Sequence, residues 1–218
     1  MSRIRTQIER PDQEIVRMAA HFSAATLLEA GGKKGALPSG IKPLGPSMKI
    51  CGPAVTVASP PKDNIMLHEA IIAAQPGDVL VAEVAGVYEA GYWGDIMTHA
   101  AVHKGIQGLV IDGCARDGAD IRQIGFPVFS RGLCIQGTGK NGGGTINQAI
   151  VIGGVTIEPG DLVVGDGDGV VVIPRHEIEE VLRRAQQREE DEERVRQLLR
   201  EGKTTMEIYG WKSELLPS

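Results

Sequence analysis

The sequence predicts an α/β protein, and three observations carry that prediction. Short runs rich in Val and Ile alternate with helical patterns as far as about residue 130. After that, several strand-like runs follow with only turns between them, so βα units give way to an antiparallel meander. A long helical region over 175–201 then closes the chain.

Taken in order, Pro11-Asp12 opens a helical spacing of Ile15, Met18, Phe22, Ala25, Leu27 and Leu28, which Gly31-Gly32 stops. Residues 33–49, rich in Pro and Gly, read as loop. "CGPAVTVAS" reads as a strand, "PPKD" as a break and Asn64 to Ala74 as a helix. The runs at 77–84, 108–113, 127–132, 149–157, 161–166 and 169–174 read as strands, with short helices at 95–105 and 117–124. The last helix would extend roughly 40 Å. Its apolar stripe of Ile178, Val181, Leu182 and Ala185 resumes at Val195, Leu198 and Leu199, but Gln186 to Arg194 is polar all round. That stretch is either a solvated helix laced with i,i+4 ion pairs or an arm delivering carboxylates to a neighbour.

The 218 residues suffice for one domain with a real core, and the net charge of −5 lacks the basic stripe of a nucleic-acid binder. Cys51, Cys114 and Cys134 show no CxxC spacing and are expected to be reduced core thiols in a cytoplasmic protein. The N-terminus has no apolar signal region, and no stretch has the roughly 20 apolar residues that span a bilayer. Neither nucleic acid nor membrane is an expected partner.

Several motifs are weighed and set aside. "GTGKNG" at 137–142 matches GxGxxG but does not open a helix, so it reads as a loop near a pocket or a surface turn. "GDGDG" at 165–169 lies between Val-rich runs and reads as a hairpin turn, not a calcium loop. His99 and His103 stand i,i+4 but lack the Glu of HExxH; His68 stands apart. Asp95 with Thr98, and Asp117 with Asp120, both fit helix N-caps. Caps do not explain Arg116 beside Asp117 at a strand end. A guanidinium and free amides at one spot would hold a planar carboxylate, and nearby carboxylates would hold a hard divalent cation.

Asp95, twenty intervening residues and then Arg116-Asp117 resemble the D-x20-R-D signature of the class II pyruvate aldolases that cleave 4-hydroxy-4-methyl-2-oxoglutarate and 4-carboxy-4-hydroxy-2-oxoadipate. Collinear segments extend the resemblance over most of the chain, among them "DNIMLHEAI", "PGDVLVAEV", "GFPVFSRG", "PGDLVVGDGDGVVVIP" and "MEIYG". The resemblance implies a swivelling β/β/α-type sandwich with mixed sheets. Residues 1–174 would be the catalytic domain and 175–218 a helical arm packing on a neighbouring subunit of a trimer or hexamer. It implies Mg²⁺ or Mn²⁺ ligated by Asp117, with Asp95 and Glu192 reaching the cation through water, Glu192 coming from the adjacent subunit and Glu193 being its alternate. Arg116 would contact the pyruvyl group, and the 94–97 turn, through the amides of Ile96 and Met97 after Gly94, would bind the substrate carboxylate. The C4 hydroxyl proton would go to water on the cation, oriented by Asp95 or the arm Glu. Retro-aldol cleavage to pyruvate plus pyruvate or oxaloacetate, with oxaloacetate decarboxylation on the side, is the implied activity. The same superfamily holds the regulator of ribonuclease activity A, a protein-binding inhibitor that resembles a shorter chain without the arm.

Overall fold

A computed structural model describes residues 3–212. The first helical pattern is two helices, α1 Gln13–Ala19 and α2 Ala24–Ala30, where one over 11–29 was expected. The break has a local cause: Ser23 is extended, and its hydroxyl accepts from Thr26 N at 3.0 Å, capping a new helix. The loop that follows contains a two-residue strand, β1 Lys42–Pro43, and leads into β2 Ile50–Ala58, α3 Ile65–Ala73 and β3 Val79–Glu83. Next come β4 Gly91–Trp93, α4 Asp95–Lys104, β5 Gly108–Asp112, β6 Cys114–Ala115 and α5 Gly118–Ile124. Strands β7 Val128–Ser130, β8 Gly132–Leu133 and β9 Thr145–Ile146 follow. The run at 149–157 is a hairpin and not one strand. Gly153 and Gly154, at φ +57° and +85°, turn the chain between β10 Ile150–Ile152 and β11 Val155–Ile157. Strands β12 Leu162–Gly165 and β13 Val170–Ile173 form the expected hairpin around the 166–169 turn.

The main sheet runs β1-β7-β5-β3-β2-β12-β13, with β9 also on β2. Its centre, β2, β3, β5 and β7, is parallel, while β1, β9, β12 and β13 pair antiparallel. Parallel strands are covered on both faces, which is why β3 and β5 read as continuous apolar runs; Leu80, Val81, Leu109 and Val110 are fully buried. A second, smaller sheet orders β4-β6-β8, all parallel. This mixed α/β sandwich is the fold class the sequence implied.

A second core lies between the β12–β13 hairpin and α1, α2 and α6 Ile178–Arg200. Ile178, Val181, Leu182 and Ala185 bury there, and no later residue of α6 is buried. Beyond Ala185 the helix carries an ion-pair ladder, with Glu192 between Arg188 and Arg196, and Glu193 between Arg196 and Arg200. A short helix, α7 Thr205–Tyr209, follows a Thr204–Glu207 capping box. The arm's expected last residues, 213–218, lie outside the described residues.

The three cysteines are free and half-buried, and of them Cys51 packs against the second core. Cys51 donates to Val16 O at 3.3 Å, and burial pushes its thiol up to about 12. It is not a nucleophile at neutral pH.

Candidate active site

The small sheet explains the spacing of the signature. Strands β4 and β6 are adjacent and parallel, with Trp93 opposite Ala115. The residues that leave their carboxyl ends, Gly94-Asp95 and Arg116-Asp117, therefore emerge side by side. Ligand sites form at the carboxyl ends of parallel strands because helix N-termini and turns converge there. Twenty intervening residues are what the chain needs to run through α4 and β5 before returning beside β4.

Each turn is fixed locally. Trp93 is fully buried, stacks on Phe126 with ring centroids 6.1 Å apart, and donates from Nε1 to Thr98 Oγ1 at 2.8 Å. Thr98 in turn donates from Oγ1 to Gly94 O at 2.9 Å. The expected Asp95 cap does not form: Gly94 holds the cap position and Asp95 is the first helical residue, leaving its half-buried carboxylate uncommitted to the backbone. At the start of α4, the N–H groups of Ile96 and Met97 have no acceptor within the helix. Ile96 is exposed and Met97 buried.

Asp117 does hold the cap position of α5, but its side chain makes no cap bond. Its backbone is left-handed, at φ +56° and ψ 37°. The carboxylate is turned across to the neighbouring strand end, where Oδ2 accepts from Asp95 N at 3.3 Å and lies 3.4 Å from Arg116 Nε. Arg116 is anchored by its N–H to Trp93 O at 2.8 Å, and its side chain is half-exposed. The groups stand close over Gly94: a methyl there would stand 2.4 Å from Asp117 Oδ2 and 3.3 Å from Arg116 Nε, so both side chains would have to shift. The fold thus brings together Gly94, Asp95, Ile96, Met97, Arg116 and Asp117. It does not bring this chain's own Glu192 or Glu193 to them. Among the described residues no group of three or more His, Cys, Asp or Glu could hold a metal, and His99 and His103 are exposed.

Sequence reasoning missed Asp63, Asn64 and Lys140. Asp63 is buried, with Oδ1 accepting from Ile65 N and Oδ2 from Asn141 N and Gly142 N. Burial pushes its carboxyl up, but the three N–H donors and the charge of Lys140 outweigh that and hold it below the usual range. Asn64 donates from Nδ2 to Tyr92 O at 2.7 Å and to Met97 Sδ at 3.5 Å, and its Oδ1 accepts from Lys140 Nζ. The only advance signal was the co-occurrence of "DNIMLHEAI" and "GKNGGGT", whose contact spans 76 positions. His68 is half-buried, and burial together with the Lys140 charge lowers its pKa.

A cleft of about 960 Å³ lies elsewhere, at the amino ends of β2, β3 and β5. Its one buried carboxylate, Asp78, is fully spent on a bidentate bond to Arg10 (2.7 and 2.8 Å) and on Gln75 N. The strand-end cluster instead sets an acid, a guanidinium and helix-start amides side by side.

Comparison with known proteins gives the family. The RraA-like family profile, described as Aldolase/RraA, matches residues 19–172. A protein of Halalkalibacterium halodurans named "Putative 4-hydroxy-4-methyl-2-oxoglutarate aldolase" is 43% identical over 157 residues, 72% of this chain and 75% of that protein. The crystal structure of an uncharacterized protein from Pseudomonas syringae pv. tomato superposes with a TM-score of 0.81 at 35% identity, covering 91% of this chain and 93% of the other. That of Streptomyces coelicolor RraAS2, described as an unusual member of the RNase ES inhibitor RraA protein family, gives 0.77 at 33% identity, covering 87% and 99%. Sequence profile, curated relative and solved folds converge, and the chain belongs to the RraA-like (Aldolase/RraA) family.

Proposed function

We propose that the protein is a divalent-cation-dependent aldolase that cleaves 4-hydroxy-2-oxo acids, with 4-hydroxy-4-methyl-2-oxoglutarate and 4-carboxy-4-hydroxy-2-oxoadipate as its substrates and oxaloacetate decarboxylation as a side activity. The observation that carries this reading is the apposition of Arg116 and Asp117 with the amide-rich 94–97 turn, close enough that a methyl at Gly94 would displace both side chains. A relative named for cleavage of the first of these substrates supports the aldolase part of the reading.

The residues suit a hard cation. Mg²⁺ and Mn²⁺ prefer oxygen donors, and Mg²⁺ takes only one or two carboxylates while keeping its waters, so Asp117 with Asp95 nearby would supply this chain's part of the set. Glu192 of the partner subunit would complete it. In this chain Glu192 is held by Arg188 at 2.9 Å and Arg196 at 3.0 Å on a solvated helix. Surface pairs of that kind are worth only about 0.5 kcal/mol, so Glu192 can exchange them for a cation at little cost. When bound, the cation withdraws electron density from the 2-oxo group.

The chain's own groups do the rest. The amides of Ile96 and Met97 hold the substrate carboxylate, and the Arg116 guanidinium faces the 2-oxo oxygen. As the C3–C4 bond breaks, its electron pair moves to C3 and the 2-oxo group, and Arg116 neutralises the enolate charge that appears only then. The C4 hydroxyl proton passes to water held by Asp95, C4 becomes the second product's carbonyl, and protonation at C3 yields pyruvate. Release of pyruvate from both substrates, followed with and without Mg²⁺, tests the reading; no release from either rejects it.

Two variants sharpen the test. Arg116→Lys should lower kcat about 100-fold as well as affinity, since a point charge cannot meet two oxygens as the guanidinium fork does. Unchanged kcat with a raised KM would leave Arg116 as an anchor only. Glu192→Ala should be folded and nearly inactive, and mixed oligomers of Glu192→Ala with Asp117→Ala should regain activity through interfaces that unite an intact Asp117 with an intact arm. If the mixture stays as inactive as its parents, the arm does not act in trans.

The likeness to RraAS2 favours a second reading, a protein-binding regulator of ribonuclease activity. It predicts no turnover with either substrate and a measurable complex with a ribonuclease.

A further inference from the structure

We propose that Asn141 is a site of spontaneous covalent modification: its side-chain amide cyclises onto the backbone nitrogen of Gly142 and opens to aspartate or isoaspartate, releasing the 139–142 loop from Asp63. The chemistry needs no substrate, so it stands apart from the aldolase reading.

The glycine-rich segment 136–144 is held at a few backbone points. Gln136 O accepts from Gly91 N at 2.8 Å, Gly139 donates to Lys62 O at 2.7 Å, and buried Asp63 accepts at Oδ2 from both Asn141 N and Gly142 N. The bond to Gly142 N is long, at 3.3 Å. From there Gly142, Gly143 and Gly144 run at φ +79°, +100° and +93°, a left-handed path that glycine follows without strain.

The chain has three asparagines, and they are placed very differently. Asn64 and Asn147 are buried, precede Ile65 and Gln148, and commit their side-chain nitrogens to Tyr92 O and Arg5 O. Asn141 is exposed, and among the described residues nothing hydrogen-bonds its side-chain amide. Gly142 has no Cβ to stand between Asn141 Cγ and the attacking nitrogen. The Asp63 bond lies along the N–H in the peptide plane, whereas Cγ approaches across the face of that plane, so the clamp does not screen the nitrogen.

Gly142 N gives up its proton to hydroxide and bonds to Asn141 Cγ. The Cγ–Nδ2 bond breaks, and Nδ2 takes a proton from water and leaves as ammonia. Water then opens the cyclic imide. Opening at Cγ restores the chain with an aspartate, and opening at the backbone carbonyl leaves an isoaspartate whose chain runs through Cγ. The sum is one water consumed and one ammonia released. Either product adds a carboxylate beside Asp63, where it competes for the Lys140 charge that acts on Asp63. The lengthened isoaspartyl backbone also carries the Gly142 N–H away from Asp63 Oδ2. Lys140, the preceding residue, donates to Asn64 Oδ1, so the slackening reaches the residue that holds Tyr92 O.

The test ages the full-length protein at neutral pH and follows each asparagine by peptide mass mapping, with a protein-isoaspartyl methyltransferase to count isoaspartate. Asn141 should lose its amide at least about tenfold faster than Asn64 or Asn147, and faster still as pH rises, since the attacking nitrogen must be deprotonated. Amide hydrogen exchange over 139–142 should be at least about tenfold faster in aged than in fresh wild type. Asn141→Gln, which would have to close a larger ring, should keep its fresh exchange rates when aged alike. Amide loss at Asn141 no faster than at the two buried asparagines overturns the site. Amide loss with unchanged exchange over 139–142 overturns the release of the loop, and equal loosening of aged Asn141→Gln overturns Asn141 as its cause.

Discussion

Gly94→Ala should abolish pyruvate release while leaving the fold intact. The backbone at Gly94, φ −142° and ψ −170°, is open to any residue, so alanine costs nothing there conformationally and restricts the unfolded chain by about 0.4–1 kcal/mol. The cost falls on the site. The new methyl would meet Asp117 Oδ2 at 2.4 Å and the Arg116 side chain at 3.3 Å, and both side chains are exposed enough to move away. Movement spares stability and destroys registry between the carboxylate, the guanidinium and the 94–97 amides. A displacement of about 1 Å in such a constellation costs on the order of 100-fold in rate, and here two groups are displaced together. Thermal unfolding within a few degrees of wild type, with kcat/KM down at least about 100-fold, is the expected result. Wild-type activity in Gly94→Ala would show that catalysis does not depend on this apposition.

Asp117→Asn should have an effect at least as large and should remove the response to Mg²⁺. Asn accepts the left-handed backbone as readily as Asp and matches its size, so the variant tests charge alone. On the proposed mechanism, a hard cation would lose its one direct protein ligand without the anionic oxygen, and the enolate would lose the charge that lowers its energy. Pyruvate release should fall by about three orders of magnitude and stay flat as Mg²⁺ is raised, and Mn²⁺ binding followed by paramagnetic resonance should weaken in parallel. Chelation of the wild type should reproduce the loss, and readdition should reverse it. Full turnover in excess chelator would remove the metal from the mechanism.

The elements that carry side-chain periodicity were legible in the sequence. Helices α4 and α5 and strands β2, β3, β5, β12 and β13 fall close to where apolar spacing and turn residues set them. Strands β4, β6 and β8 were not legible, because two or three residues hold no period and "GYW" and "CA" carry no bounding signal. Yet those strands set the site. The pair Arg116-Asp117 was visible as chemistry out of place, while its juxtaposition with Asp95 was visible only through family resemblance. The Asp63–Asn64–Lys140 network stayed hidden because it joins segments far apart in the chain through buried polar bonds that no local pattern encodes. Helix α6 was foreseen, including its polar stretch, and the ion-pair ladder now accounts for that stretch within one chain.

The register of β4 against β6 has a consequence for how such sites can be found and altered. Chemistry requires only that two strand ends lie abreast; the number of residues between them is a tether length, set by one helix and one strand of the main sheet. On α4, His99, Ala100, Val102, His103 and Lys104 all face solvent, so the helix could gain a turn at its far end without touching either strand end. A chain so lengthened would keep its full catalytic complement and no longer fit a fixed-interval search pattern. Conversely, a sequence with the right interval but a one-residue slip between the two short strands would carry every expected letter and form no site at all.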